Sequence, residues 1–233
     1  MKKLFYILML FVITSCIKQE KPIYSCNESI NDFVVTNKST LADISREQLV
    51  TLPIAYQRAI LNSFSNEKKA SLWIEKLDLV LLQNISDDYR AKIAELRNFV
   101  NPEIYNHEID EKPEDNVTNF IVNWEQNVLN RLEFDTVVFS INFCTLMTFD
   151  EYEYFVNNYD GIDYSWLEGG VDIIRLPLGQ GTCTCRYDFY CSVFMNVECE
   201  DGKNNCSPSW DCGVMGSSKC DGMCGENVEP NQN

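Results

Sequence analysis

The stretch SNEKKASLWIEKLDLVLL, residues 65–82, decides the fold class. Ser65 is a residue type that caps helix N-termini, and Ala70, Trp73, Leu77, Val80 and Leu81 recur at steps of three and four, the spacing that gathers side chains on one face of a helix. The same signature repeats on both sides of this stretch. Upstream, Ser45-Arg46-Glu47-Gln48 has the form of a capping box, Leu49 and Leu52 share a face, and Pro53 stops that short helix while suiting the first turn of the next. That next helix carries Tyr56, Ile60 and Phe64. Downstream, Ser86-Asp87-Asp88 places acids at the start of a helix with Tyr89, Ile93, Leu96 and Val100 inward, and Asn101-Pro102 ends it.

Asn101 to Asn116, with two prolines and many acids, is expected to be a solvated loop. After it, Val117, Phe120, Ile121, Trp124, Val128 and Leu132 trace one stripe over about four helical turns. The run DTVVFSINFCTLMT, residues 135–148, is ambiguous: Val137, Phe139, Ile141 and Phe143 alternate as in a strand, whereas its length and flanks suit a buried helix, which we prefer. Thr148-Phe149-Asp150-Glu151 is a further capping-box candidate, opening a helix with Tyr152, Phe155 and Val156 inside. Residues 44–158 are therefore expected to form one helical domain.

The chain ahead of it reads differently. Lys2 and Lys3 precede an apolar run, Leu4 to Val12, far shorter than the ~20 residues that span a bilayer, so 1–15 reads as a signal peptide. Ile13-Thr14-Ser15-Cys16 resembles the lipobox of bacterial lipoproteins, in which cleavage leaves a lipidated cysteine at the new N-terminus; an ordinary secretory signal is the plainer alternative. Cys16 is thus the expected lipidation site, holding the protein to a membrane through acyl chains worth about 0.8 kcal/mol per buried methylene. Residues 16–43 are then a tether with one short helix around Ile30 to Val35. The expected location is the outer membrane or cell surface.

Behind the helical domain, glycines and short apolar patches mark a linker over 159–180. The segment 181–225 follows, with eight of the chain's eleven cysteines: Cys183, Cys185, Cys191, Cys199, Cys206, Cys212, Cys220 and Cys224. Disulfides persist outside the cytoplasm, and the spacings contain no repeated CxxC knuckle of the kind zinc sites use, so disulfides are preferred to a metal. So small a module, whose core would be Tyr187, Phe189, Tyr190, Phe194 and Trp210, needs such staples. Which cysteines pair is left open. Residues 226–233 are expected to be a disordered tail, and the whole reads as a mainly α protein with a small disulfide-rich, irregular or β C-terminal module.

Little in the chain points to catalysis. Its single histidine, His107, sits in the acidic loop without a rigid frame, and no GxSxG, HExxH or P-loop motif is present. Asn158 to Asp163 looks faintly like a calcium loop, but Val156 and Leu167 occupy the positions that require Asp and Glu. We expect no enzyme activity, cofactor or metal. The net charge of −16, which becomes −18 without Lys2 and Lys3, repels phosphate backbones and argues against nucleic acid as a partner.

The order CTC (183–185), Asp188-Phe189-Tyr190-Cys191, Cys199, Cys206, Cys212-Gly213 and Cys220-Asp221-Gly222 resembles fulvocin C, a small cysteine-rich bacteriocin. The lipoprotein signal and helical front half resemble the longer bacteriocin fulvocin C-related proteins of the Bacteroidetes. Cys224 departs from the peptide's pattern. The resemblance implies an antibacterial peptide, acting in place or released. Between Gly181 and Gly225, however, six acids outnumber three basic residues, the reverse of a peptide drawn to anionic membranes by charge. The alternative is a non-toxic surface module that binds a protein or glycan receptor through Tyr187, Phe189, Tyr190 and Trp210.

Overall fold

The computed structural model describes residues 22–25, 27–106, 115–131, 136–158, 161–162, 164, 183–184, 199–201, 213–217 and 222–224. Among these the chain is mainly helical. In order come α1 (Glu28–Thr36), α2 (Lys38–Leu41), α3 (Arg46–Leu49), α4 (Ile54–Asn62), α5 (Asn66–Leu82), α6 (Asp87–Phe99), α7 (Asp115–Arg131), α8 (Thr136–Cys144) and α9 (Phe149–Asn158), with short 3-10 turns at Pro102–Tyr105 and Val214–Gly216.

The helix starts lie where capping chemistry puts them. Ser45 Oγ accepts from the Gln48 N–H at 3.2 Å while Gln48 Oε1 accepts from the Ser45 N–H at 3.1 Å, completing the capping box. Ser65 and Ser86 accept from the N–H groups of Lys68 and Tyr89, at 3.4 and 3.3 Å. At α9, Thr148 and Glu151 form the reciprocal pair: Thr148 N–H donates to Glu151 Oε2 at 2.8 Å and Glu151 N–H to Thr148 Oγ1 at 3.3 Å.

Helix α5 supplies the middle of the core, burying Ala70, Leu72, Trp73, Leu77 and Val80. Helix α6 packs along it with Tyr89, Ile93 and Leu96, and α7 adds Ile121, Trp124 and Val128. The ambiguous apolar run is a helix. Among its described side chains Phe139, Ile141, Asn142, Phe143 and Cys144 are buried and Val138 is half-buried, and its sequence shows no clean helical stripe. Phe143 meets the Trp124 ring edge-on at 4.8 Å and that of Tyr89 at 6.2 Å, while Trp124 Nε1 donates to the Lys92 carbonyl at 3.0 Å.

Three expectations about boundaries are corrected. The short helix expected around Ile30 to Val35 is present as α1, but it belongs to the folded body and not to a tether: α1 and α2 bury Ile30, Phe33, Val34 and Leu41 in the same core, and ahead of them Tyr24 packs against it, its N–H donating to Asn31 Oδ1 at 2.6 Å. The loop expected from Asn101 begins with a 3-10 turn in which Ile104 and Tyr105 are buried. Within the expected linker, Ile162 and Tyr164 pack against the core, and the Tyr164 hydroxyl donates to the Thr51 carbonyl at 3.3 Å. Leu132, His107, residues 1–15 and residues 226–233 lie outside the described residues.

In the cysteine-rich segment three short strands are described: β1 (Cys183–Thr184), β2 (Cys199–Asp201) and β3 (Gly222–Cys224). They pair antiparallel in the order β1-β3-β2, with the last strand in the centre.

Candidate functional site

The cysteine segment meets the helical body at Gly213–Ser217. Gly213 and Gly216 have positive φ, 71° and 64°, and between them Met215 also does, at 56°. A left-handed methionine is costly, by about 1–3 kcal/mol, and persists where its surroundings over-determine it. Here Val214 and Met215 are both wholly buried within the main core, next to α8. Tyr105, on the turn after α6, donates its hydroxyl to the Met215 carbonyl at 3.3 Å, and Ser217 Oγ closes the turn on the Val214 carbonyl at 2.7 Å. Burial raises the Tyr105 phenol above its usual range, so it stays a neutral donor. Ile54, Gln57, Trp73 and Cys144 line the small cavity behind Met215 and Gly216.

Two buried basic side chains brace the surface that receives this turn. Lys76, fully buried on α5, donates to the carbonyls of Ile141 (3.1 Å), Asn142 and Thr145 (2.8 Å), capping the C-terminal end of α8. Burial pushes its ammonium well below the usual lysine range, against the pull of Cys144 and Glu151. Arg46, 2% exposed, forks onto Glu151 at 2.6 and 2.9 Å, reaches Glu75 at 3.1 Å and donates to the Leu146 carbonyl at 2.9 Å. One guanidinium thus ties α3, α5, the α8–α9 connection and α9 together. Beside it, α3 and α9 border an open groove whose rim is acidic, with Glu47 and Asp150, and whose walls include Val50, Phe155, Ile162 and the exposed Tyr154.

Of the site residues read from sequence, Cys183, Cys199 and Cys224 fall in the three strands. The register sets Cys199 opposite Cys224 and Cys183 opposite Met223. Cys16, Cys185, Cys191, Cys206, Cys212 and Cys220, and the expected binding aromatics Tyr187, Phe189, Tyr190 and Trp210, lie outside the described residues. So does Cys26, whereas Cys144 is buried in the last turn of α8. Among the described residues no group of three or more His, Cys, Asp or Glu side chains is placed to hold a metal ion, and no helix is long and apolar enough to cross a membrane.

Sequence reasoning did not single out Val214 and Met215 as anchors, nor Lys76 and Arg46 as braces. For Lys76 a signal existed: it falls between Trp73 and Leu77 on the buried face of α5, where a charged residue is out of place unless it has partners. The pair Val214-Met215 is too short to show any period.

No protein-family model, no curated protein and no solved structure matches this chain.

Proposed function

We propose that this is an exported, non-enzymatic lipoprotein of the cell surface, held by acyl chains on Cys16, whose disulfide-stapled C-terminal module recognises a surface protein or glycan while attached to the helical domain. The observation that carries this reading is the burial of Val214 and Met215. They lie between Cys212 and Cys220, inside the segment that resembles fulvocin C, yet they are part of the helical domain's core. Cutting that segment away would expose two large apolar side chains at about 1.5–3 kcal/mol each. That favours a module working where it is docked over one shed as a free peptide. The helical body, braced by Arg46 and Lys76, is then a rigid platform, and a rigid module loses little conformational freedom on binding.

The second reading, an antibacterial peptide, rests on the cysteine order shared with fulvocin C. Cell fractionation separates the two. One epitope tag is placed after Cys16 and another after Asn233, and each fraction is run with and without reductant. Both tags on one membrane-bound chain are the expected outcome. A small oxidised fragment in the medium that carries only the C-terminal tag would overturn the docked reading and favour the peptide. Loss of membrane association on Cys16→Ser checks the anchor.

A further inference from the structure

The register of the small sheet narrows a question that cysteine spacing leaves open. Strands β2 and β3 run antiparallel with Cys199 directly opposite Cys224, Glu200 opposite Met223 and Asp201 opposite Gly222. Directly opposed residues of an antiparallel pair have Cα atoms about 4.5 or 5.5 Å apart, depending on whether the position is hydrogen-bonded. Both values lie inside the roughly 4.4–6.8 Å that a disulfide requires. Strand residues alternate between faces, so Cys183, opposite Met223, stands on the other face of the sheet from Cys199 and Cys224. Within this sheet Cys183 therefore competes for neither of them.

We propose that Cys199 and Cys224 form one disulfide of the module, cross-linking β2 to the central strand. This rests on the reading of the eight-cysteine segment as oxidised. The bond forms by thiol–disulfide exchange with a disulfide donor, either an oxidised dithiol oxidoreductase or oxidised glutathione. One cysteine thiolate attacks the donor disulfide and releases a donor thiolate; the second attacks the mixed disulfide and releases the other. The two cysteines lose two protons and two electrons, and the donor is reduced to two thiols. The link closes the chain between the middle of the segment and its last cysteine. The assignment leaves Cys183, Cys185, Cys191, Cys206, Cys212 and Cys220 to pair among themselves.

The test is a cysteine map of the full chain, refolded in a glutathione redox buffer, alkylated, and digested without reduction. Cleavage after Glu198 and Glu200 isolates Cys199, and cleavage before Asp221 and after Glu226 separates Cys224 from Cys220. The expected product is a linked species containing Cys199-Glu200 and Asp221–Glu226. Cys199→Ser should add one alkylatable thiol, at Cys224, and Cys199→Ser with Cys224→Ser together should remove it again. A link from Cys199 to any other cysteine, or a new thiol elsewhere in Cys199→Ser, overturns the pairing. So does a refolded chain in which Cys199 and Cys224 remain alkylatable. The same map on protein from the native cell envelope addresses the other reading. Reduced cysteines there, with the Cys199–Cys224 link in the refolded chain, would sink the oxidised-module reading and leave the pairing standing.

Discussion

Replacing Arg46 by Met removes the guanidinium while keeping an apolar stem in its place. The substitution strips Glu151 of a bidentate partner at 2.6 and 2.9 Å and leaves the Leu146 carbonyl without the donor it now has at 2.9 Å. Removing one member of a buried pair costs about 3–5 kcal/mol. The value here should sit at the low end, about 3 kcal/mol, because Glu151 is 30% exposed and keeps the Thr148 N–H. With a urea slope of about 2 kcal/mol/M, the unfolding midpoint should fall by roughly 1.5 M. Equilibrium unfolding followed by tryptophan fluorescence is the assay, since Trp73 and Trp124 are both buried. Glu151→Gln and the double variant complete a thermodynamic cycle, in which we expect a coupling of at least about 1 kcal/mol between the two positions. If Arg46→Met and Glu151→Gln add to within about 0.3 kcal/mol, the fork contributes nothing specific and the bracing argument fails.

The remaining expectations are independent of that cycle. Lys76→Ala should destabilise by about 3 kcal/mol, from lost stem packing and the orphaned carbonyls of Asn142 and Thr145, and Lys76→Met should recover at least about 1 kcal/mol of it by refilling the space; equal losses in urea unfolding would contradict this. Met215→Ala should cost about 2–4 kcal/mol by leaving a cavity against the helical core, and limited proteolysis should then release the cysteine segment sooner; unchanged stability and cleavage would remove the docking argument. Burial alone would raise the Glu151 carboxyl, but its hydrogen bonds with Arg46 and Thr148 hold it below the usual carboxylate range. The unfolded chain therefore takes up that proton first as pH falls: the contribution is complete above the ordinary glutamate pKa of about 4.3 and is lost as pH drops through the lower folded value. Relative to Glu151→Gln, wild-type stability should fall more steeply with acid below about pH 4.5, and parallel pH profiles would refute the assignment.

How much of this was legible in advance depends on the range over which each signal acts. The capped starts at Ser45, Ser65, Ser86 and Thr148 are local: a side-chain oxygen and an N–H three residues on are enough, and each was readable from four residues of sequence. The stripes of α5, α6 and α7 were readable because each helix keeps one wet face. Helix α8 was ambiguous because its apolar residues run together without a polar face, so the burial of Phe139, Ile141, Phe143 and Cys144 fits a strand's alternation as well as a helix's stripe. The start of the folded body was misplaced for a related reason: α1 and α2 are short, and their membership in the core is decided by partners such as Tyr56, whose ring meets that of Phe33 at 5.0 Å.

The contacts on which the proposed docked module rests were the least legible, and for one physical reason. Arg46 reaches Glu151 across 105 positions, Tyr105 reaches Met215 across 110, and Lys76 reaches the end of α8 across more than 60. Each is a polar contact between distant segments, and sequence spacing carries no trace of it. Their arrangement follows a common logic. Lys76 and Arg46 satisfy the carbonyls where α8 ends and α9 begins, and without them that connection would bury unpaired backbone acceptors. The adjoining surface, at Cys144, Thr145 and Leu146, is where Met215 packs, so the basic side chains that look misplaced in an apolar core hold the backbone against which this turn sits. A strained methionine held between two left-handed glycines and buried in the helical core is what the proposed docked module requires, and a peptide meant to leave would have no use for it.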